Sequence, residues 1–506
     1  MEGADVPPRA VVSSNAVVGV PAGPMVDSKG GVRLTHSARP GDRQPAPVSV
    51  TTRGDPMHPS IQRSRTFARR ALLALLALAL FSGAAFAQRV QVEFWHGFTG
   101  ALGETLEGYV ADFNESQELY QVNPSYKGTY NDTMVAAIAA FRSGTAPHIV
   151  QMFEVGTATM MYSGGAIMPV HQLFADTGVA FDPERYIAAI RGYYSNADGQ
   201  MMSMPFNSST TVMWVNNDAL IAAGLDPETT SLKYWHEVRA VAKQVVDSGA
   251  ANCGLSFAWP SWSQFENFSA MHDVPLSTEM NGMAGLGAEL QINSPLHVAH
   301  ITNLAEMIAE GSATYGGRGN AADALFPSGE CAIVQASSGL LARVNREATF
   351  AWSAHFLPVH QAFAAEPQNS IIGGASLWVM QSPTRTVEEY RAVAEFFNFL
   401  AQPDVAEQWH LDTGYLPIVN GVFEKLEAEG YYADRPGLAI PYRQLTNQPP
   451  TENSRGLQLG NMPEIRDIIE EEIEMVFQGQ KTAQAALDSA VERGNVVLRN
   501  FERANR

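Results

Sequence analysis

Val90–Met152 reads VQVEFWHGFTGALGETLEGYVADFNESQELYQVNPSYKGTYNDTMVAAIAAFRSGTAPHIVQM, and its hydrophobic period switches repeatedly. Val90, Val92 and Phe94 alternate as in a half-buried strand, and Leu102, Leu106, Tyr109, Val110 and Phe113 follow at helical spacing. YQVNPSY has the character of a second strand, Asp132 to Phe141 of a second helix, and HIVQM of an apolar third strand. The order βαβαβ predicts an open α/β sheet.

Further strand signals lie far apart, at TTVMWVNN, ECAIVQASS and IIGGASLWVM, while Thr482 opens a final helix through Val491 to Phe501. No internal repeat and no long linker interrupts residues 88–506, which predicts lobes that interleave along the chain. Near the end, Gly460–Glu474 reads GNMPEIRDIIEEEIE, a helix with Pro463 in its first turn and Gly479 closing it. Arg466 stands in that first turn, where the helix dipole disfavours a cation by about 0.3–1 kcal/mol. Two partners are open to it: Glu470 one turn on, or an external anion held jointly with the helix terminus.

The segment upstream of these elements has the character of an export signal. MHPSIQRSRTFARR, from Met57, is basic; ALLALLALALF is an apolar run too short to span a bilayer; SGAAFA ends in a small-x-small cleavage site after Ala87. No Cys marks a lipid anchor. Residues 1–56, rich in Pro, Gly, Ser and Arg, carry no apolar periodicity and are expected to be disordered or untranslated. The whole chain of 506 residues has a formal charge of −19, and the part from Gln88 onward is more acidic still. With no basic patch, nucleic acid is not an expected partner. Cys253 and Cys331 are left either to pair in an oxidising compartment or to stay as buried thiols.

Catalytic signatures are absent from the sequence: no G-x-S-x-G, H-E-x-x-H, Walker-type loop or G-x-G-x-x-G after a strand. His297 and His300 lack carboxylate or thiol company, so they are expected at the surface, with no metal. Polar and aromatic residues cluster instead at element ends. YKGTYND carries Tyr126 and Tyr130; FEVGTATM puts Glu154 just after an apolar strand, where open α/β sheets bind ligands. FNSSTTV supplies Ser208 and Ser209, AWPSWSQFENFSA supplies Trp259 and Trp262, and QASSG, IIGGAS and TGYLPI add Ser337, Gly374 and Tyr415. Hydroxyls, close-approach glycines and one arginine suit an anionic ligand, while a carboxylate and two indoles suit its polyol and carbon face.

These stretches, with FWHGFTGALGE, GLQLGNMPEIR and TAQAALDSAVERGN, closely resemble the periplasmic glycerol-3-phosphate-binding proteins of ATP-driven importers, over essentially all of residues 88–504. The resemblance implies a type II periplasmic binding fold, similar to maltose-binding protein, with two interleaved α/β lobes around a hinge and a ligand cleft between them. It implies one lobe of residues 88–206 with about 374–412 and another of about 207–373 with 413–506. Carried over position by position, Tyr130, Ser209, Ser337, Gly374, Tyr415 and Arg466 surround the phosphate, Glu154 takes the hydroxyls, and Trp259 and Trp262 wall the glycerol. On that reading carboxylate and arginine lie at opposite ends of the ligand, which fixes its orientation. The implied protein is not an enzyme, uses no cofactor, is monomeric when free, and passes glycerol-3-phosphate or a glycerophosphodiester to permease and ATPase subunits. Two rivals remain: a receptor for a neutral saccharide on the same fold, and an exported phosphodiesterase or glycosidase.

Overall fold

The computed structural model describes residues 88–506, so the export signal and the segment before it lie outside the described residues. Ten strands form two sheets. In the first, β1 (Val90–His96) pairs in parallel with β2 (Tyr120–Tyr126) and β3 (Ile149–Phe153). β10 (Gly373–Met380) runs antiparallel to β3, β4 (Ile167–Met168) and β5 (Met204–Ser209). In the second sheet β6 (Thr211–Asn216) lies between β8 (Cys331–Ser337) and β9 (Trp352–His355), both antiparallel to it, and β7 (Cys253–Phe257) is parallel to β8.

The strands follow from their side chains. β1 alternates, burying Val92, Phe94 and His96, whereas β3, a central strand between β1 and β10, is buried at every residue because both faces of the sheet are covered there. Helix Gly100–Ser116 buries Leu106, Tyr109, Val110 and Phe113. Helix Val387–Leu400, started by the Thr386–Glu389 capping box, packs Phe396 near Phe94 at 6.1 Å between ring centroids. Over the second sheet, helix Trp235–Asp247 buries Val238, Val241, Ala242 and Val245. The helix Met462–Phe477 packs on helix Ala483–Asn505 through a stripe that includes Ile465, Ile469 and Ile473, each burial worth about 1.5–3 kcal/mol.

Only Thr210 separates β5 from β6, so the chain passes between sheets within one residue. Its hydroxyl donates to Ile371 O at 2.9 Å, tying this crossing to the segment that returns the chain to β10. Cys253 and Cys331 are register partners on β7 and β8 and form a disulfide, which resolves the alternative left open by their count.

His297 and His300 are not at the surface. Both are fully buried in helix Pro295–Ala309, because their spacing puts them on the face that also carries Leu296, Ile301 and Leu304. Neutral imidazole tolerates this burial when both nitrogens are satisfied: His297 lies between the hydroxyls of Ser294 and Ser269, at 2.7 and 2.8 Å. Among the described residues no cluster of three or more His, Cys, Asp or Glu is arranged to hold a metal ion.

Candidate functional site

Tyr130, Glu154, Ser209, Trp259, Trp262, Ser337, Gly374, Tyr415 and Arg466 all line one cavity of about 430 Å³. They arrive from both sheets. Glu154 is the first residue after β3, and Ser209 and Gly374 come from the paired ends of β5 and β10. Gly374 has φ +87°, and a Cβ there would stand 1.8 Å from Asn207 O, so only glycine fits. Ser337 ends β8, and its hydroxyl accepts from Gly339 N at 3.1 Å.

Tyr130 begins helix Tyr130–Ser143, fixed by a capping box in which Asp132 Oδ2 accepts from Thr129 N at 2.8 Å. Its ring stacks on Phe153 at 5.7 Å, and its hydroxyl accepts from Asn207 Nδ2 at 3.0 Å. Tyr415 follows the left-handed Gly414 that ends helix Pro403–Thr413. Burial pushes its phenol up to about 12 and that of Tyr130 well above the usual range, so both remain protonated donors.

The two tryptophans frame an irregular turn. Trp259 takes the left-handed φ of +50°, and its N–H donates to Gly319 O at 2.6 Å. Trp262 begins the π-helical turn Trp262–Glu266, and its buried indole N–H has no partner within the protein. That side chain was read from sequence as an apolar wall only; here it is also an unused donor beside the cavity.

Arg466 departs furthest from its expected setting. It is buried, not exposed, and its partner is not Glu470. Nε and Nη2 donate to the two oxygens of Glu266, both at 2.7 Å, and Nη2 also donates to Glu154 Oε1 at 2.6 Å. Glu470 instead accepts from Ser261 N at 3.4 Å. Glu154 and Arg466 therefore adjoin, where sequence reasoning set them at opposite ends of a ligand. The reason is desolvation: a buried cation requires paired, hydrogen-bonded counter-charge, which Glu266 and Glu154 supply, while Glu470, itself buried, turns to Ser261 N. Burial, reinforced by Glu266, pushes the Glu154 carboxyl upward while Arg466 pulls it down; the two carboxylates hold the guanidinium firmly charged. Nη1 makes no hydrogen bond with the protein, and Arg466 lines the cavity.

Glu266 was missed as a site residue although it lies in SQFENFSA. Glu266 ends the π-helical turn Trp262–Glu266 and reaches the site through Arg466, a pairing across 200 positions that no local period signals. Asn207, Asp323, Arg343 and Arg346 were also not singled out; the last three line the cavity. The arrangement offers neutral hydroxyl donors, the buried guanidinium of Arg466, the partly exposed Arg343 and Arg346 held by Glu347, indole surface and carboxylates, which suits holding a polyhydroxylated anion.

The bacterial extracellular solute-binding protein family matches residues 108–439. The sn-glycerol-3-phosphate-binding periplasmic protein UgpB of Yersinia pseudotuberculosis is 44% identical over 432 residues, covering 85% of this chain and 97% of that protein. UgpB of Salmonella typhimurium is 45% identical over 433 residues, covering 85% and 98%. Among solved structures, UgpB from Mycobacterium tuberculosis in complex with glycerophosphocholine is similar at a TM-score of 0.68 and 20% identity, over 81% of this chain and 98% of that one. The cyclic alpha-maltosyl-1,6-maltose binding protein from Arthrobacter globiformis is similar at 0.64 and 20%, over 81% and 100%. These two proteins share the fold while one is named for a neutral saccharide and the other is in complex with a phosphodiester, so the fold alone does not choose a ligand.

Proposed function

Because the chain belongs to the bacterial extracellular solute-binding proteins, in the group of sn-glycerol-3-phosphate-binding periplasmic proteins, we propose that it captures sn-glycerol-3-phosphate or a glycerophosphodiester in the periplasm. It delivers this ligand to the permease and ATPase of an ATP-driven importer, and the ligand leaves chemically unchanged. One observation carries the choice of ligand: Tyr130, Ser209, Ser337, Gly374, Tyr415 and Arg466 converge from distant segments on one cavity. A neutral saccharide does not require a guanidinium buried at its wall.

The phosphate is held mainly by neutral donors, because two carboxylates already balance the charge of Arg466. Hydroxyls lose less hydration than added cations would, and Nη1 adds one charge-assisted bond. The two sheets are the cores of two lobes that exchange near residues 206–210, 372–374 and 412–413, and closure about these crossings removes water and strengthens each polar contact. Calorimetric titration with sn-glycerol-3-phosphate, glycerophosphocholine, maltose and inorganic phosphate tests the reading. The two glycerol phosphates are expected to bind and the other two to fail; maltose binding without either glycerol phosphate would sink it.

A further inference from the structure

Arg466 is the only buried Arg or Lys among the described residues, and it stands amid an excess of negative charge. Glu154 and Glu266 both pair with it, and both side chains are almost sealed from solvent. Glu470, also buried, brings a third carboxyl to the cluster: Ser261 N donates to Glu470 Oε1 at 3.4 Å, and the Ser261 hydroxyl donates to Glu266 Oε1 at 3.2 Å. Arg318, which acts on Glu470 from outside, is taken by Glu474 through Nε and Nη2 at 2.8 and 2.6 Å. Asp467, exposed on the same helix, adds negative charge. Tyr130, Tyr193 and Tyr194 lie within reach of the Glu154 charge, but burial pushes all three phenols up and keeps them neutral. Arg343 and Arg346 line the cavity unburied, and Glu347 accepts from them at 2.8 and 2.9 Å.

With every group ionised, Arg466, Glu154 and Glu266 together carry one negative charge. A phosphate ester entering beside them meets like charge where little water screens it, and neutralising one carboxylate removes that repulsion. Glu154 is the group placed to accept the proton. It lines the cavity and holds Arg466 by one hydrogen bond, whereas Glu266 holds it by two, through Nε and Nη2. Burial pushes the Glu154 carboxyl upward, Arg466 pulls it down, and the charge of Glu266 pushes it up again.

We propose that Glu266 is a positioning residue that makes capture proton-linked: it anchors the Arg466 guanidinium, and the ester enters together with one solvent proton that settles on a Glu154 oxygen. The new O–H bond leaves Glu154 neutral, able to donate to a glycerol hydroxyl as well as accept from it, while Arg466 stays paired with Glu266 and turns its remaining charge on the phosphate. This rests on the proposed capture of glycerol phosphates and adds how the charge of that site is balanced. The sign follows from linkage. An anion bound beside Glu154 raises its affinity for the proton, so binding is strongest at low pH and weakens as pH rises, by about tenfold per pH unit for each proton taken up.

The test is calorimetric titration with glycerophosphocholine and sn-glycerol-3-phosphate in two buffers of different ionisation enthalpy, repeated from about pH 6.5 to 9. In the unaltered protein the difference between buffers should report about one proton taken up per ligand near neutral pH. A phosphodiester has no titrating oxygen in this range, whereas the second ionisation of a monoester lies at about 6, so uptake with the diester assigns the proton to the protein. Glu266→Gln keeps an acceptor for Arg466 but leaves Glu154 and Arg466 as a neutral pair. Its uptake should vanish, its affinity should stop falling with pH, and at about pH 9 it should bind about threefold or more tighter than the unaltered protein. Glu470→Gln, at a residue that does not line the cavity, should keep the uptake. Tight binding by the unaltered protein without uptake, diester binding without uptake, or uptake that survives Glu266→Gln would each overturn the proposal. So would an equal loss of affinity at every pH in Glu266→Gln, the signature of a merely structural residue. The buffer comparison on the unaltered protein stands even if a variant does not fold. Failure of both ligands to bind the unaltered protein overturns the proton linkage together with the reading it rests on.

Discussion

Arg466 is the residue at which local and tertiary electrostatics part company. Its own helix offers Glu470 four residues on, a pairing worth a few tenths of a kcal/mol in an exposed helix. The fold buries it instead between Glu154, 312 positions away, and Glu266, 200 positions away. This reverses what its removal should do. An exposed first-turn cation could be deleted at no cost to the helix, whereas Arg466→Ala strands two buried carboxylates and should cost about 3–5 kcal/mol in ligand-free denaturant titrations, besides abolishing glycerol-3-phosphate binding. The triple variant Arg466→Met, Glu154→Gln, Glu266→Gln should be more stable than Arg466→Ala, since it removes the unpaired charge as well. If the triple variant is the less stable of the two, the loss in Arg466→Ala comes from packing and not from charge.

Elements with a clean period were legible in the sequence. β1, β2, β3, β6, β8 and β10 all coincide with stretches whose alternation or apolar run predicted strands, and Thr482 starts the final helix as expected. β4, β5, β7 and β9 were not singled out. β4 has two residues, and β5, Met-Pro-Phe-Asn-Ser-Ser, is buried on both faces despite a polar composition because it pairs with β10 at the site. β7 is a five-residue stretch with a glycine at its second position, and its pairing with β8 is locked by a bond that no count of cysteines decides. Gly254 in β7 is itself forced: a Cβ there would stand 2.3 Å from Ala242 O. The Cys253–Cys331 disulfide closes a 78-residue separation, for which the chain-entropy model gives roughly 4 kcal/mol. The double variant Cys253→Ala, Cys331→Ala should therefore lose about 2–4 kcal/mol, with a lower melting temperature than the oxidised protein and little change on adding reductant. An unaltered protein whose melting temperature ignores reductant would show that the bridge does not form in solution or that it resists reduction, and thiol titration under denaturation separates the two.

The acidity follows from a composition spread over hundreds of residues and was readable; the balance of buried titrating groups was not, because burial depends on distant packing. His272, His297 and His300 are buried, and the half-buried His360 joins them in a polar cluster. His300 Nε2 donates to Gln264 Oε1 at 3.1 Å, which leaves its Nδ1 to accept from His360 Nε2 at 3.2 Å. His272 Nε2 accepts from His360 N at 2.8 Å while its Nδ1 donates to Phe268 O. The rings of His272, His297 and His300 are thus satisfied when neutral, and burial drives His272 and His360 down to about 4 and His297 to about 3. Below the ordinary histidine value of 6.5 the unfolded chain takes up protons that this core refuses, so stability is lost as pH falls. Asp323 and Glu470 act in the opposite sense: burial raises each to about 7, so the folded state holds protons that the unfolded chain has released. The clustered histidines outnumber these carboxyls, and each excess proton contributes about 1.4 kcal/mol per pH unit. The melting temperature should accordingly be nearly level from about pH 7 to 8 and fall steeply from about 6.5 toward 4.5, with His300→Gln making that fall shallower by one proton. A melting temperature that holds or rises on acidification through this range would mean that the histidine cluster opens to water or accepts charge in the folded protein.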